Sequence, residues 1–349
     1  CQNSISYAQD GHSWSKKLHS QMNDINSFNL DSIGNPVMVS IRSGAPVSMP
    51  GMMDTILNVG IDNTTYDYFK QKLGSNTADD CAVRFIKLFS KSFLNYDSKW
   101  PKNLSSASLK FRKLLDNYNN SQAKKNKILL EKGLFPLSKE QQISLSIQSV
   151  FKSWNSERAV AYRNHQGLSN EMGTAAIMQH MVLGNLNSKS CTGVLFSRDC
   201  ITGKKGMIGE FLVSGQGEEV VSGEVTPQNI NEMKKWNLNA YKKLEEIATM
   251  LEEKTGQIQD IEFTIEDGNV YILQCRSAVS SNIAKKALLD EKFAENKISR
   301  QEYLSSLNIP DLVSGEMVKT DKKPDFTGLS ASPGVITGIC IKDEKDYEK

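Results

Sequence analysis

Two groups of residues in this chain of 349 have the types and spacing for chemistry on phosphate. The first is Ser40-Ile41-Arg42-Ser43-Gly44-Ala45-Pro46-Val47-Ser48-Met49-Pro50-Gly51-Met52-Met53-Asp54-Thr55. A strand-like apolar run (Val37, Met38, Val39, Ile41) delivers one arginine to the mouth of a loop built of Gly, Pro, Ser and Met. The loop has few bulky residues for a core and many backbone N–H groups. A guanidinium at its mouth can grip phosphate oxygens as a fork. Taken by itself, the segment is also what an ordinary surface loop after a strand looks like.

The second group is Asp260-Ile261-Glu262-Phe263-Thr264 and the returning run Val270 to Arg276. A strand puts Asp260 and Glu262 on one face and Ile261, Phe263 and Ile265 on the other. The carboxylates and Gln274 supply hard oxygens for Mg²⁺, and Arg276 supplies a cation, which are the parts phosphoryl transfer uses. Register decides whether they meet. A two-residue loop at Asp267-Gly268 would set the carboxylates on the face of Tyr271, Leu273 and Cys275. A three-residue loop, with Gly268 left-handed in a bulge, pairs Asp260 with Gln274. One face is then Ile261, Phe263, Ile265, Tyr271, Leu273 and Cys275. The other gathers Asp260, Glu262, Gln274 and Arg276. The second register is expected; an exposed, charged hairpin edge is the plainer alternative.

These groups need a scaffold. Leu18, Met22, Ile25 and Phe28 predict a short helix before a turn at 31–36. From about 64 to 150 the pattern is mostly helical: Cys81, Phe85, Leu88, Phe89 and Phe93 recur at helical spacing, as do Leu109, Phe111, Leu114, Leu115 and Tyr118. Strands are expected over 173–182, 192–197 and 209–213, the last two joined by a polar turn at 201–205. Ile230, Met233, Trp236, Ala240, Leu244, Ile247 and Leu251 predict one helix, closed by Gly256. Residues 280–310 read as helical, and 328–338 open something new.

Composition is that of a soluble globular protein, 39% hydrophobic and 23% charged, with a net charge of +2 that implies no bulk attraction to nucleic acid or membrane. Six scattered cysteines without Cys-x-x-Cys spacing read as reduced cytosolic thiols, and the isolated histidines as structural or surface residues.

Four segments in order resemble the nucleotide-binding region of the pyruvate phosphate dikinases: the loop just described; Val150-Phe151-Lys152-Ser153-Trp154 with Arg158 and Tyr162-Arg163; the run from Gly173 to Gly223; and the hairpin with Leu273-Gln274-Cys275-Arg276. The resemblance implies an α+β, ATP-grasp fold of two mixed α+β lobes with an all-helical insertion. The first lobe would span 1–63 and 147–183, the insertion 64–146 and the second lobe 184–281. A helical linker (282–325) and the truncated start of a swivelling phosphohistidine domain (326–349) would follow. It implies transfer of the β-phosphoryl of ATP to a histidine and on to pyruvate, giving AMP, diphosphate and phosphoenolpyruvate from ATP, phosphate and pyruvate.

Carried over by position, Arg42 should bind ATP phosphates, and Gly51, Met52, Met53, Asp54 and Thr55 should close over them. Gln179, Met181 and Val182 should line the adenine pocket, and Glu210 should contact nucleotide. Arg84 resembles a family arginine that reaches the phosphates. Asp260, Glu262 and Gln274 should hold Mg²⁺. Arg42, Glu262 and Arg276 are the catalytic candidates, Arg276 neutralising charge in the transition state. The family's opening lysine segment, its Thr-Ser-His-Ala-like acceptor motif and its pyruvate barrel have no counterpart here, and no histidine follows His180. The expectation is an expressed, cytoplasmic fragment, with a truncated gene product as the alternative, monomeric although its parent dimerises, that cannot complete the reaction alone. The competing readings are a non-catalytic nucleotide-binding or interaction module and a fragment of a related phosphoenolpyruvate synthase.

Overall fold

The computed structural model describes residues 5–7, 35–47, 49, 51–122, 126–217, 219 and 225–307. The expected helix around Leu18 to Phe28 and the segment 326–349 lie outside them. The chain divides into two compact units, one ending at Val182 and the other beginning at Leu183.

In the first unit a four-stranded antiparallel sheet has the order β1-β4-β2-β3, from Ile5–Tyr7 (β1), Val39–Gly44 (β2), Thr55–Val59 (β3) and Ala175–His180 (β4). Among the described residues five helices accompany it: Tyr66–Leu73 (α1), Ser75–Leu94 (α2), Leu104–Ser121 (α3), Lys139–Ser153 (α4) and Glu157–His165 (α5). The α2 stripe is buried at Cys81, Phe85, Phe89 and Phe93, and Phe85 and Phe89 meet Phe111 of α3 edge-on, with ring centroids 6.5 and 5.7 Å away. Leu109 departs from its predicted stripe: it is exposed, while Phe111 and Leu115 are buried. The predicted strand 173–182 contracts to Ala175–His180.

The second unit carries a five-stranded antiparallel sheet, order β7-β6-β5-β8-β9. Its strands are Cys191–Arg198 (β5), Lys205–Val213 (β6), Gln228–Asn229 (β7), Gln259–Glu266 (β8) and Asn269–Ser277 (β9). β6 begins at Lys205, inside the expected polar turn. The single helix expected over 230–251 is instead a 3₁₀ turn (Ile230–Glu232), a short helix (α6, Met233–Trp236) and a long one (α7, Leu238–Thr255). Asn237 makes the break: it is extended, and its side chain accepts from Ala240 N to cap α7. The apolar stripe crosses the break intact, with Ile230, Met233, Ala240 and Leu244 all in one core with Phe211, Ile261, Phe263 and Ile265. Gly256 closes α7 left-handed, as expected. The helical reading of 280–310 resolves into Asn282–Ala294 (α8) and Arg300–Ser306 (α9), the latter started by a Ser299/Glu302 capping box.

The β8–β9 hairpin corrects the expected register. Glu266 pairs with Asn269, so the loop has two residues, Asp267 and Gly268, at φ 46° and 84°. Two positive φ values make a turn whose twist matches the strands, which favours it over the three-residue alternative. Hydrogen bonds from outside fix the turn: Asp267 N donates to Ser190 Oγ and Gly268 N to the Lys189 carbonyl. The irregularity falls further along. Phe263 pairs with Ile272 but Glu262 with Gln274, so Leu273 is an additional residue bulged from β9. Asp260 consequently pairs with Arg276, not Gln274. The core-side residues of β9 are Val270 and Ile272, while Tyr271 and Cys275, expected on the apolar face, are exposed.

Candidate functional site

In the first unit, strand alternation sends Ile41 into the core and Ser40 and Arg42 to the opposite face. Ser40 pairs across with Gln179 and Arg42 with Ile177, which leaves Arg42 and Gln179 as diagonal neighbours on that face. The Arg42 Nη1 donates to Gln179 Oε1 at 3.1 Å, so the sheet holds this guanidinium in place. Arg42 also pairs with Thr55 of β3, so the loop between them starts and ends beside the arginine. Met181 N donates to the Met38 carbonyl, extending the contact between the two segments past β4, and Met181 and Val182 are half-buried, not core.

The loop is more internally bonded than its composition suggests. Met52 N donates to the Met49 carbonyl and Asp54 N to Ser153 Oγ, so two of its N–H groups are already engaged. Gly51 is left-handed at φ 70° and faces open space. Arg158 grips the loop from α5: Nε donates to the Met52 carbonyl at 3.1 Å, and Nη2 pairs with the Asp54 carboxylate. Arg84, on α2, donates from Nε to Asp80 Oδ2 at 2.8 Å, one turn back on its own helix.

In the second unit the hairpin, β5 and β6 set two rows of side chains on the sheet face away from the core. One row runs Glu210, Val194, Glu262, Gln274 and the next Ile208, Phe196, Asp260, Arg276. The register differs from the one expected, yet Asp260, Glu262, Gln274 and Arg276 share a face, because the bulge at Leu273 restores their phase. Arg276 donates from Nε to Asp260 Oδ2, and its Nη2 reaches the same oxygen, both at 2.7 Å. Both partners are half-buried. Burial pushes the Glu210 carboxyl above its ordinary pKa.

Two carboxylates and an amide oxygen on one face suit a hard divalent cation. Among the described residues no group of three or more His, Cys, Asp and Glu is placed to cage a metal. Mg²⁺ is commonly bound through one or two carboxylates, with waters and substrate phosphate oxygens completing its shell. The sequence reading missed the Arg158–Asp54–Ser153 clamp. Its residues lie 99 to 104 positions apart, and nothing in periodicity connects them.

Residues 3–238 and 232–297 match the family model for the pyruvate phosphate dikinase AMP/ATP-binding domain. The chain is 35% identical over 358 residues to the pyruvate, phosphate dikinase of Rickettsia conorii (strain ATCC VR-613 / Malish 7), covering 96% of this chain and 40% of that protein. It is 35% identical over 349 residues to the chloroplastic pyruvate, phosphate dikinase of Mesembryanthemum crystallinum, covering 93% of this chain and 36% of the relative. Against the chloroplastic enzyme of Flaveria trinervia the identity is 34% over 346 residues, with 91% and 35% covered. The chain thus spans 40% or less of the length of these curated relatives.

Proposed function

The chain belongs to the pyruvate phosphate dikinase AMP/ATP-binding family, and from that premise we propose that it is the ATP-binding part of an enzyme that phosphorylates pyruvate through a histidine intermediate. The parent reaction is ATP, phosphate and pyruvate to AMP, diphosphate and phosphoenolpyruvate. The acceptor histidine and the pyruvate site belong to parts of such an enzyme outside this sequence, a swivelling domain and a barrel. The fold we assign is ATP-grasp, and the compartment the cytoplasm, in keeping with scattered free thiols at Cys81, Cys191, Cys200 and Cys275. Among the described residues no helix is long and apolar enough to cross a membrane.

The observation that carries the reading is the shared face of Asp260, Glu262, Gln274 and Arg276. Asp260, Glu262 and Gln274 would hold Mg²⁺, which when bound neutralises phosphate charge and orients the oxygens for in-line attack. Arg276, held by Asp260, meets the negative charge that develops on the transferring phosphoryl group, where a preorganised cation acts most strongly. In the first unit Arg42 binds phosphate oxygens from the mouth of the Gly51–Thr55 loop. Gln179, Met181 and Val182 line the adenine, with Arg84 as a further contact; in the second unit Glu210 contacts nucleotide.

Calorimetric titration of the 349-residue chain with a non-hydrolysable ATP analogue tests this. Binding should require Mg²⁺ and should weaken at least about a hundredfold in a Glu262→Ala, Arg276→Ala variant, the order expected for losing a metal ligand and a charge-assisted contact together. Equal affinity with and without Mg²⁺, or in the variant, would count against the metal and phosphate assignments.

A further inference from the structure

We infer that Arg158 is a positioning residue: it latches the Gly51–Thr55 loop in the shape in which that loop meets nucleotide phosphate. The role rests on the phosphate reading of the loop. Arg158 contacts the loop at two points on either side of Met53. Its Nε holds the Met52 carbonyl at 3.1 Å and its Nη2 holds the Asp54 carboxylate. Asp54 is fixed a second time through its main chain, because its N–H donates to Ser153 Oγ at 3.1 Å, and that hydroxyl donates to the Val150 carbonyl at 2.7 Å. A planar fork suits this task, since one rigid group spans two acceptors.

The latch is mounted on a stiff corner. Ser156 caps α5 by accepting from Ala159 N. Arg163, one and a half turns further on, is fully buried with its guanidinium 3.9 Å from the Trp154 ring centroid. It donates to the Trp154 carbonyl and to Asn170 Oδ1, both at 2.8 Å. On its other side the loop is tied to itself by Met52 N donating to the Met49 carbonyl, and Gly51 between them is left-handed and faces open space. The Arg158 side chain is 49% exposed, and a pair so open to water adds little to overall stability. Its effect is local: it selects one loop conformation, which lowers the ordering cost of binding.

The test uses Arg158→Met and Arg158→Lys in the 349-residue chain, titrated with the Mg²⁺ complex of a non-hydrolysable ATP analogue and compared by thermal melting and backbone hydrogen exchange. Arg158→Met should weaken the analogue by about tenfold or more, as displaced binding groups do. Its melting temperature should stay unchanged, and faster exchange should be confined to the loop. Arg158→Lys keeps a cation for Asp54 without the fork and should fall between. Equal affinity in wild type and Arg158→Met would overturn the role while leaving the ATP reading intact. A fall in melting temperature with exchange rising throughout the unit would also overturn it. A wild-type chain that melts normally yet binds no analogue would overturn both the reading and the role.

Discussion

Single carboxylates recur in this molecule as organisers of something else. Asp260 steadies Arg276 and Asp54 steadies Arg158. Asp62 organises two helix starts. Its Oδ1 accepts from Thr64 N, Thr64 Oγ1 and Thr65 N at 2.7 to 3.0 Å ahead of α1, and its Oδ2 accepts from Lys139 N at 2.9 Å at the start of α4. Burial pushes this carboxyl up, but the hydrogen bonds from Thr64, Lys139 and Thr65 outweigh burial and hold its pKa below the ordinary 3.8. A depressed folded-state pKa adds stability above the unfolded value and loses it as pH falls through the folded one. Asp62→Asn should therefore cost about 2–3 kcal/mol near neutral pH by urea unfolding, from a charged acceptor lost among donors. The gap between variant and wild type should shrink as pH drops below about 4, where the unfolded carboxyl takes up its proton, and close as pH falls through the lower folded-state value.

The second sheet is built so tightly that its glycines are structural. A Cβ on Gly193 of β5 would lie 2.5 Å from the Glu210 carbonyl and 2.6 Å from Phe263 Cζ, so the ring of Phe263 occupies the space a side chain would need. Gly193→Ala should destabilise the chain by about 1–3 kcal/mol through overpacking, read as a lower urea midpoint with an unchanged slope. Period-two and period-3.6 patterns were enough to find β8, β9 and the α2 stripe, whereas the face shared by Asp260, Glu262, Gln274 and Arg276 was expected from a three-residue loop and arises instead from the bulge at Leu273. The sequence also showed where the chain turns, at Asp267-Gly268, but not the length of the loop: three residues were expected and two are found, both at positive φ. What it did not announce was the place of the bulge. One extra residue can enter anywhere along a strand, and its site at Leu273 is set by a turn that Lys189 and Ser190 hold from another segment. The Asn237 break was hidden for a related reason: the stripe stays in phase across it, so hydrophobic spacing carries no trace of a cap. The Arg158 clamp joins residues remote in sequence, and only folding reveals such pairs.

At the scale of the molecule, each unit has a core of its own: Ile41, Ile56, Phe85, Phe89, Phe111 and Val150 are buried in the first, and Leu195, Phe211, Leu244, Ile261 and Phe263 in the second. The second unit also fastens α8 by charge. Arg198, only 3% exposed at the end of β5, pairs with Glu252 of α7 at 2.5 Å and with Glu291 of α8 at 3.2 Å. Lys205 binds the other Glu291 oxygen at 2.8 Å. These side chains line a cleft of about 510 Å³ in which every cation just named already faces a carboxylate. Glu252→Gln leaves the buried guanidinium short of its partner and should cost about 3–5 kcal/mol, with lost hydrogen-exchange protection centred on β5, α7 and α8. The bulge at Leu273 carries a consequence for how such chains vary in length. Ile272 faces the core and Gln274 the opposite side with one residue between them. Losing that residue would return the strand to plain alternation with both neighbours still facing as they do. A gap at Gln274 or Cys275 leaves the same spacing of two residues between Ile272 and Arg276, so Arg276 keeps its side there too. In an alignment of related chains, the stretch between Ile272 and Arg276 is therefore where a one-residue deletion can pass without inverting the charged end of the hairpin.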